Sequence, residues 1–118
     1  MNDARRAYFL WDPAGDSELS SLIVGDGHVG GKGRSLLFAM KALRDRGPEA
    51  VRVSFPPSIF IGVGVFRDFL SSLKGFDLRG MPFEAVQGLF LSRPLPEYVY
   101  KRLESFLSDV SAPLVVRS

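Results

Sequence analysis

The run Gly25-Asp26-Gly27-His28-Val29-Gly30-Gly31-Lys32-Gly33 packs five glycines around a single lysine and leads directly into a helix-patterned segment. These residue types suit anion chemistry. Glycines remove the side chains and φ restrictions that keep backbone N–H groups from closing around a phosphate. A helix N-terminus adds partial positive charge, and Lys32 adds a full one at the same place. Gly30, Gly31, Gly33 and Lys32 are therefore the candidate phosphate-binding residues. The competing interpretation is a plain surface loop with a solvated lysine.

Two common nucleotide patterns fit this loop poorly. A Walker A loop needs a glycine five residues before its Gly-Lys pair and Ser or Thr after it; this chain has Asp26 and Gly33 there. The dinucleotide fingerprint G-x-G-x-x-G is met literally by Gly25, Gly27 and Gly30, with Asp45 at about the right distance beyond. Asp45, however, falls at the end of the following helix, whereas a ribose-binding acid should cap the next strand. The strand expected over 51–55 ends in no acid.

Other chemistries are excluded by composition. The chain has no cysteine, so disulfides, thiol catalysis and thiolate metal sites do not arise. His28 is the sole histidine and cannot build a His-rich metal site or supply a His pair. A formal charge of +2, with basic residues spread along the chain, gives no footprint for nucleic acid. No apolar run approaches the roughly 18 residues of a membrane span, and no signal-peptide core opens the chain, so a cytoplasmic location is the default expectation. At 118 residues, 46% hydrophobic and 24% charged, the chain has the size and composition of one small folded domain.

The elements that must position the loop follow from periodicity and breakers. Residues 7–11 read as a short strand or arm, followed by a polar turn over 12–16 and a very short strand over 22–24. The spacing predicts a helix over 34–46, with Leu36, Leu37, Met40 and Leu43 as its apolar stripe and Gly47-Pro48 as its stop. Alternation predicts a strand over 51–55, ended by Pro56-Pro57, and a second over 58–63. A helix over 65–73 carries Val65, Phe66, Phe69, Leu70 and Leu73 on one side. Residues 74–81 read as loop and 83–91 as a short helix. A longer helix over 97–110 follows, with Val99, Leu103, Phe106, Leu107 and Val110 as its stripe. Leu114-Val115-Val116 begins an apolar strand that has barely started at Ser118, so the domain is expected to be truncated there. Helices alternating with short strands predict an α/β lobe.

Taken in order, "VGGKGRSL", "FPPSIFIGVGVFRDFL", "FLSRPLPEYVYKRLESFLSD" and the terminal "APLVVRS" resemble the N-terminal part of the nucleotide-binding domain of the pyruvate phosphate dikinase and phosphoenolpyruvate synthase family. The resemblance covers residues 25–118; residues 1–24 lie outside it and read as an N-terminal arm or linker. It implies an ATP-grasp fold, in which ATP is held between two lobes and the β-phosphoryl group passes to a histidine on a separate domain. By the resemblance, Lys32 corresponds to the family's glycine-loop lysine and Arg117 to the arginine of its Val-Arg-Ser-Ser motif, both on ATP phosphates. The implied cofactors are ATP and Mg²⁺, with the metal ligands outside these residues. The implied partners are the phosphohistidine and acceptor domains of the same protein; neither nucleic acid nor membrane is expected, and a homo-oligomer is compatible. Alone, the 118 residues are expected to bind ATP weakly or not at all and to lack turnover. A non-catalytic regulatory or interaction module derived from the same fold is the alternative.

Overall fold

The computed structural model describes residues 3–26, 28–46 and 54–118. Five helices dominate among them: α1 (Asp3–Leu10), α2 (Gly31–Arg46), α3 (Val63–Ser71), α4 (Phe83–Ser92) and α5 (Glu97–Asp109). Two short strands, β1 (Ile23–Val24) and β2 (Phe60–Ile61), pair in parallel with Ile23 opposite Phe60 and Val24 opposite Ile61. Parallel neighbours need a long crossover, and α2 lies in the connection between them, as in a βαβ unit. The chain is thus a small, helix-rich α/β fold.

Successive strand residues point to opposite faces, and β1 shows it in two positions. Ile23 is buried with Leu19 and Leu37 on the α2 side, where Trp11, Val29, Met40 and Phe60 close around them. Val24 is buried with Val65 and Val99 on the α3 and α5 side, flanked by Ile59 and Leu103. The sheet is therefore covered by helices on both faces. Leu19, Ile23 and Trp11, which hold one of these clusters, come from the 1–24 segment.

The helical stripes divide on folding. Leu37 and Val99 are fully buried, and Val65, Phe69 and Leu73 are buried with them. Leu36, Phe66 and Leu107, read as parts of the same stripes, remain exposed. The radius of gyration is 17.7 Å, against roughly 13 Å for a compact domain of about this length. A thin core of this kind cannot cover whole apolar stripes.

Three local expectations are corrected and one holds. Residues 7–10 are helical, not a strand: α1 lays Tyr8 edge-on against Phe38 of α2, centroids 5.2 Å apart, with Trp11 beside the same ring at 5.6 Å. The polar turn at 12–16 is present as a single tight turn over Pro13–Gly15, capped by Asp12 Oδ1 accepting from the Ala14 N–H at 3.0 Å. The second strand shrinks from 58–63 to Phe60–Ile61, because the chain turns at Gly62 into α3. Residues 114–116 form no strand among the described residues; without a neighbouring strand to pair with, Val116 stays 96% exposed. Residues 54 and 55 lie outside any strand; the remainder of the strand expected over 51–55, the Gly47-Pro48 stop and Gly27 fall outside the described residues.

Candidate functional site

The glycine loop joins β1 to α2, and α2 begins earlier than the stripe alone requires. Its first turn takes in Gly31, Lys32 and Gly33. The helical ladder opens with the Arg34 N–H donating to the Gly30 carbonyl at 2.9 Å, leaving the three preceding N–H groups ahead of it. The first turn holds no acid that would neutralise them. Lys32 is exposed there, and its side chain makes no hydrogen bond or ion pair among the described residues.

The loop glycines serve different ends. Among the described residues, a Cβ at Gly30 or Gly31 would meet no atom within 4 Å, so their packing does not demand glycine at either position. Their effect is to leave the backbone approachable from outside. Gly33 is a packing residue: a Cβ there would lie 3.2 Å from Cδ1 of Phe60 and 3.5 Å from Cβ of Val29. Gly25 is required by its backbone, with φ of +108°, a region that side chains disfavour.

A second element reaches the loop that the sequence alone did not bring there. The chain leaving β2 crosses the loop so closely that the Gly62 N–H donates to the Val24 carbonyl at 2.8 Å and the Val63 N–H donates to the His28 carbonyl at 2.7 Å. A Cβ at Gly62 would sit 2.9 Å from the first of these oxygens and 3.0 Å from the second. The Asp26 carboxylate lies over Gly64, in the first turn of α3. The signal that could have revealed this is the Gly62-Val63-Gly64 triplet immediately before an apolar helix.

Arg117 is not bonded to this assembly among the described residues. It lies in the exposed terminal stretch beyond α5, and among the described residues no hydrogen bond, ion pair or ring contact ties it to the loop. Arg34, the other cation near the loop, is committed to structure. Its guanidinium donates to the Tyr8 carbonyl and sits over the rings of Tyr8 and Trp11, with Cζ 4.9 and 5.8 Å from their centroids. His28 is exposed in the loop, where its N–H donates to Asp26 Oδ1 at 3.1 Å.

Asp45, the acid of the dinucleotide alternative, sits in the last turn of α2 and caps no strand. Its carboxylate takes Lys41 Nζ at 2.6 Å and Arg44 Nε at 2.9 Å, and these two cations, Lys41 first, hold its pKa below the usual carboxylate range. Among the described residues, no group of three His, Cys, Asp or Glu side chains gathers that could hold a metal ion. No helix among them is long and apolar enough to cross a membrane. No family model, curated protein or solved structure matches the chain.

Proposed function

We propose that this chain is an ATP-binding lobe of ATP-grasp type, from a phosphotransferase resembling pyruvate phosphate dikinase and phosphoenolpyruvate synthase, and that its glycine loop holds ATP phosphates. The observation that carries the proposal is the pairing of an exposed Lys32, unpartnered among the described residues, with two glycines, Gly30 and Gly31, that packing among those residues does not require. Phosphoryl transfer asks a protein mainly for positioning and charge neutralisation. Lysine on the first turn of a helix provides a compact point charge beside N–H groups that already face outward. The ordered motifs from the loop to the terminal Val-Arg-Ser add the family resemblance, which supplies the direction of transfer: the β-phosphoryl group to a histidine on another domain. In this scheme Mg²⁺ arrives with ATP and finds its carboxylate ligands elsewhere. Arg117 has a phosphate role by resemblance alone, so it is tested separately.

The test is a titration of the isotopically labelled 118-residue chain with Mg-ATP, followed by amide chemical shifts. Shifts concentrated on residues 28–36, with a dissociation constant on the order of 1 mM, are expected. Arg117→Ala weakens binding only if that residue also reaches the phosphates. The proposal commits to weak binding rather than none, so an unperturbed loop at about 10 mM ATP, or shifts confined to another surface, overturns it.

A further inference from the structure

We infer that Asp26 is a positioning residue that pins the glycine loop onto α3, and that Gly64 lacks a side chain in order to receive it. The inference rests on the phosphate role of the loop and extends it to a residue that touches no phosphate in the scheme. Asp26 is exposed and could point into solvent. Instead, a Cβ at Gly64 would lie 2.8 Å from its Oδ2, 3.0 Å from its Cγ and 3.3 Å from its Oδ1. The same carboxylate accepts the His28 N–H through Oδ1 at 3.1 Å, and His28 in turn accepts the Val63 N–H through its carbonyl at 2.7 Å. Asp26 therefore connects the middle of the loop to the first turn of α3 along two routes, one through His28 and one by direct seating over Gly64.

This arrangement has a chemical rationale. A carboxylate near a helix N-terminus is electrostatically favoured, so α3 attracts Asp26. Its seating there commits the loop acid to α3, while the first turn of α2 contains no acid and is open to an incoming anion. Two helix starts meet one loop, and the fold assigns the protein's own anion to one of them. If the seating is lost, the loop is no longer held in register with α2, and phosphate binding weakens although every phosphate-contacting group is intact.

The experiment compares the wild-type chain with Asp26→Ala, Asp26→Asn, Gly64→Ala and the Asp26→Ala/Gly64→Ala pair, reading hydrogen exchange at the Val63 amide and ATP-induced shifts at Gly31 and Lys32. Asp26→Ala and Gly64→Ala are each expected to speed Val63 exchange and weaken the ATP response by on the order of tenfold, a usual size for coupling between sites that share one element. Asp26→Asn keeps the acceptor and the shape but loses the charge that the start of α3 favours, and falls between wild type and Asp26→Ala. The double variant is no worse than Asp26→Ala, because the new methyl meets a carboxylate that is no longer there. Unchanged Val63 exchange in Asp26→Ala overturns the inference, and so does an Asp26→Asn variant as damaged as Asp26→Ala. Should Gly64→Ala fail to fold, the two Asp26 variants still decide. A wild-type loop unmoved by ATP overturns the phosphate reading and the positioning role with it, and the exchange data separate that outcome from loss of the tether alone.

Discussion

The Arg44 guanidinium grips both carboxylate oxygens of Asp16, Nη2 to Oδ2 at 2.8 Å and Nη1 to Oδ1 at 3.0 Å, and so fastens the C-terminal end of α2 to the turn that leads into β1. Asp16 also accepts the N–H groups of Leu19 and Glu18 through Oδ1, at 3.0 and 3.1 Å. One acid thereby organises the turn, and a planar fork on the helix holds it in two places.

That grip predicts acid sensitivity. The Arg44 guanidinium, with the Leu19 and Glu18 N–H groups behind it, holds the Asp16 carboxyl far below its ordinary range. A depressed folded-state pKa contributes stability that is present above the unfolded value, about 3.9, and is lost as pH falls through the folded value. The urea midpoint is expected to stay level from about pH 7 to about pH 5 and to drop steadily below about pH 4. Asp16→Asn lowers the neutral midpoint and flattens the acid limb; urea melts across the series check both effects.

Tyr98 predicts the opposite limb. Its hydroxyl donates to Asp68 Oδ2 at 2.6 Å, and that hydrogen bond, helped by partial desolvation and the nearby charge, raises the phenol above its usual pKa. A raised folded-state pKa contributes stability that is complete below the unfolded value, near 10, and is lost as pH rises through the folded one. Absorbance titration should show a late-ionising tyrosine that disappears in Tyr98→Phe. The same substitution should remove part of the alkaline loss of stability.

Two leucines read from sequence as equivalent stripe positions should behave differently. Leu37 is fully buried against Ile23 and Leu19, so Leu37→Ala should cost about 2–5 kcal/mol in chemical denaturation. Leu107 is 52% exposed, and Leu107→Ala should fall within about 0.5 kcal/mol of wild type.

Glycine substitutions separate folding from ligand binding. Gly31→Ala adds a methyl to open space at the start of a helix, so stability should hold or rise by up to about 1 kcal/mol. The same methyl should obstruct a phosphate and reduce the ATP-induced shifts. Gly62→Ala drives a Cβ against two backbone carbonyls and should cost about 1–3 kcal/mol. Thermal melts beside ATP titrations distinguish these cases, and a Gly31→Ala variant that binds as wild type would remove the loop from the proposed site.

Lys32→Ala removes the one lysine of the loop. An exposed side chain with no partner among the described residues should alter stability by less than about 0.5 kcal/mol, while the ATP response at the loop disappears. A full ATP response in that variant would sink the assignment.

The chain's local chemistry determined a good deal. The helices α2, α3 and α5 with part of each apolar stripe, the Asp12-Pro13 turn, a short strand within 22–24 and a glycine loop opening a helix were legible, because each depends on near neighbours in the polymer. Tertiary structure decided the rest. Residues 7–10 became a helix because Tyr8 gains Phe38 and Arg34 as partners on α2, contacts across about thirty positions that no local window contains. Leu114-Val115-Val116 has the composition of a strand, but a strand exists only where another backbone offers its hydrogen bonds. Asp26 in its glycine run and Gly64 in its triplet each stand out locally, but nothing in the linear chain pairs them. Their meeting depends on where β2 ends and α3 begins, a matter of three-dimensional register that residue types alone do not encode.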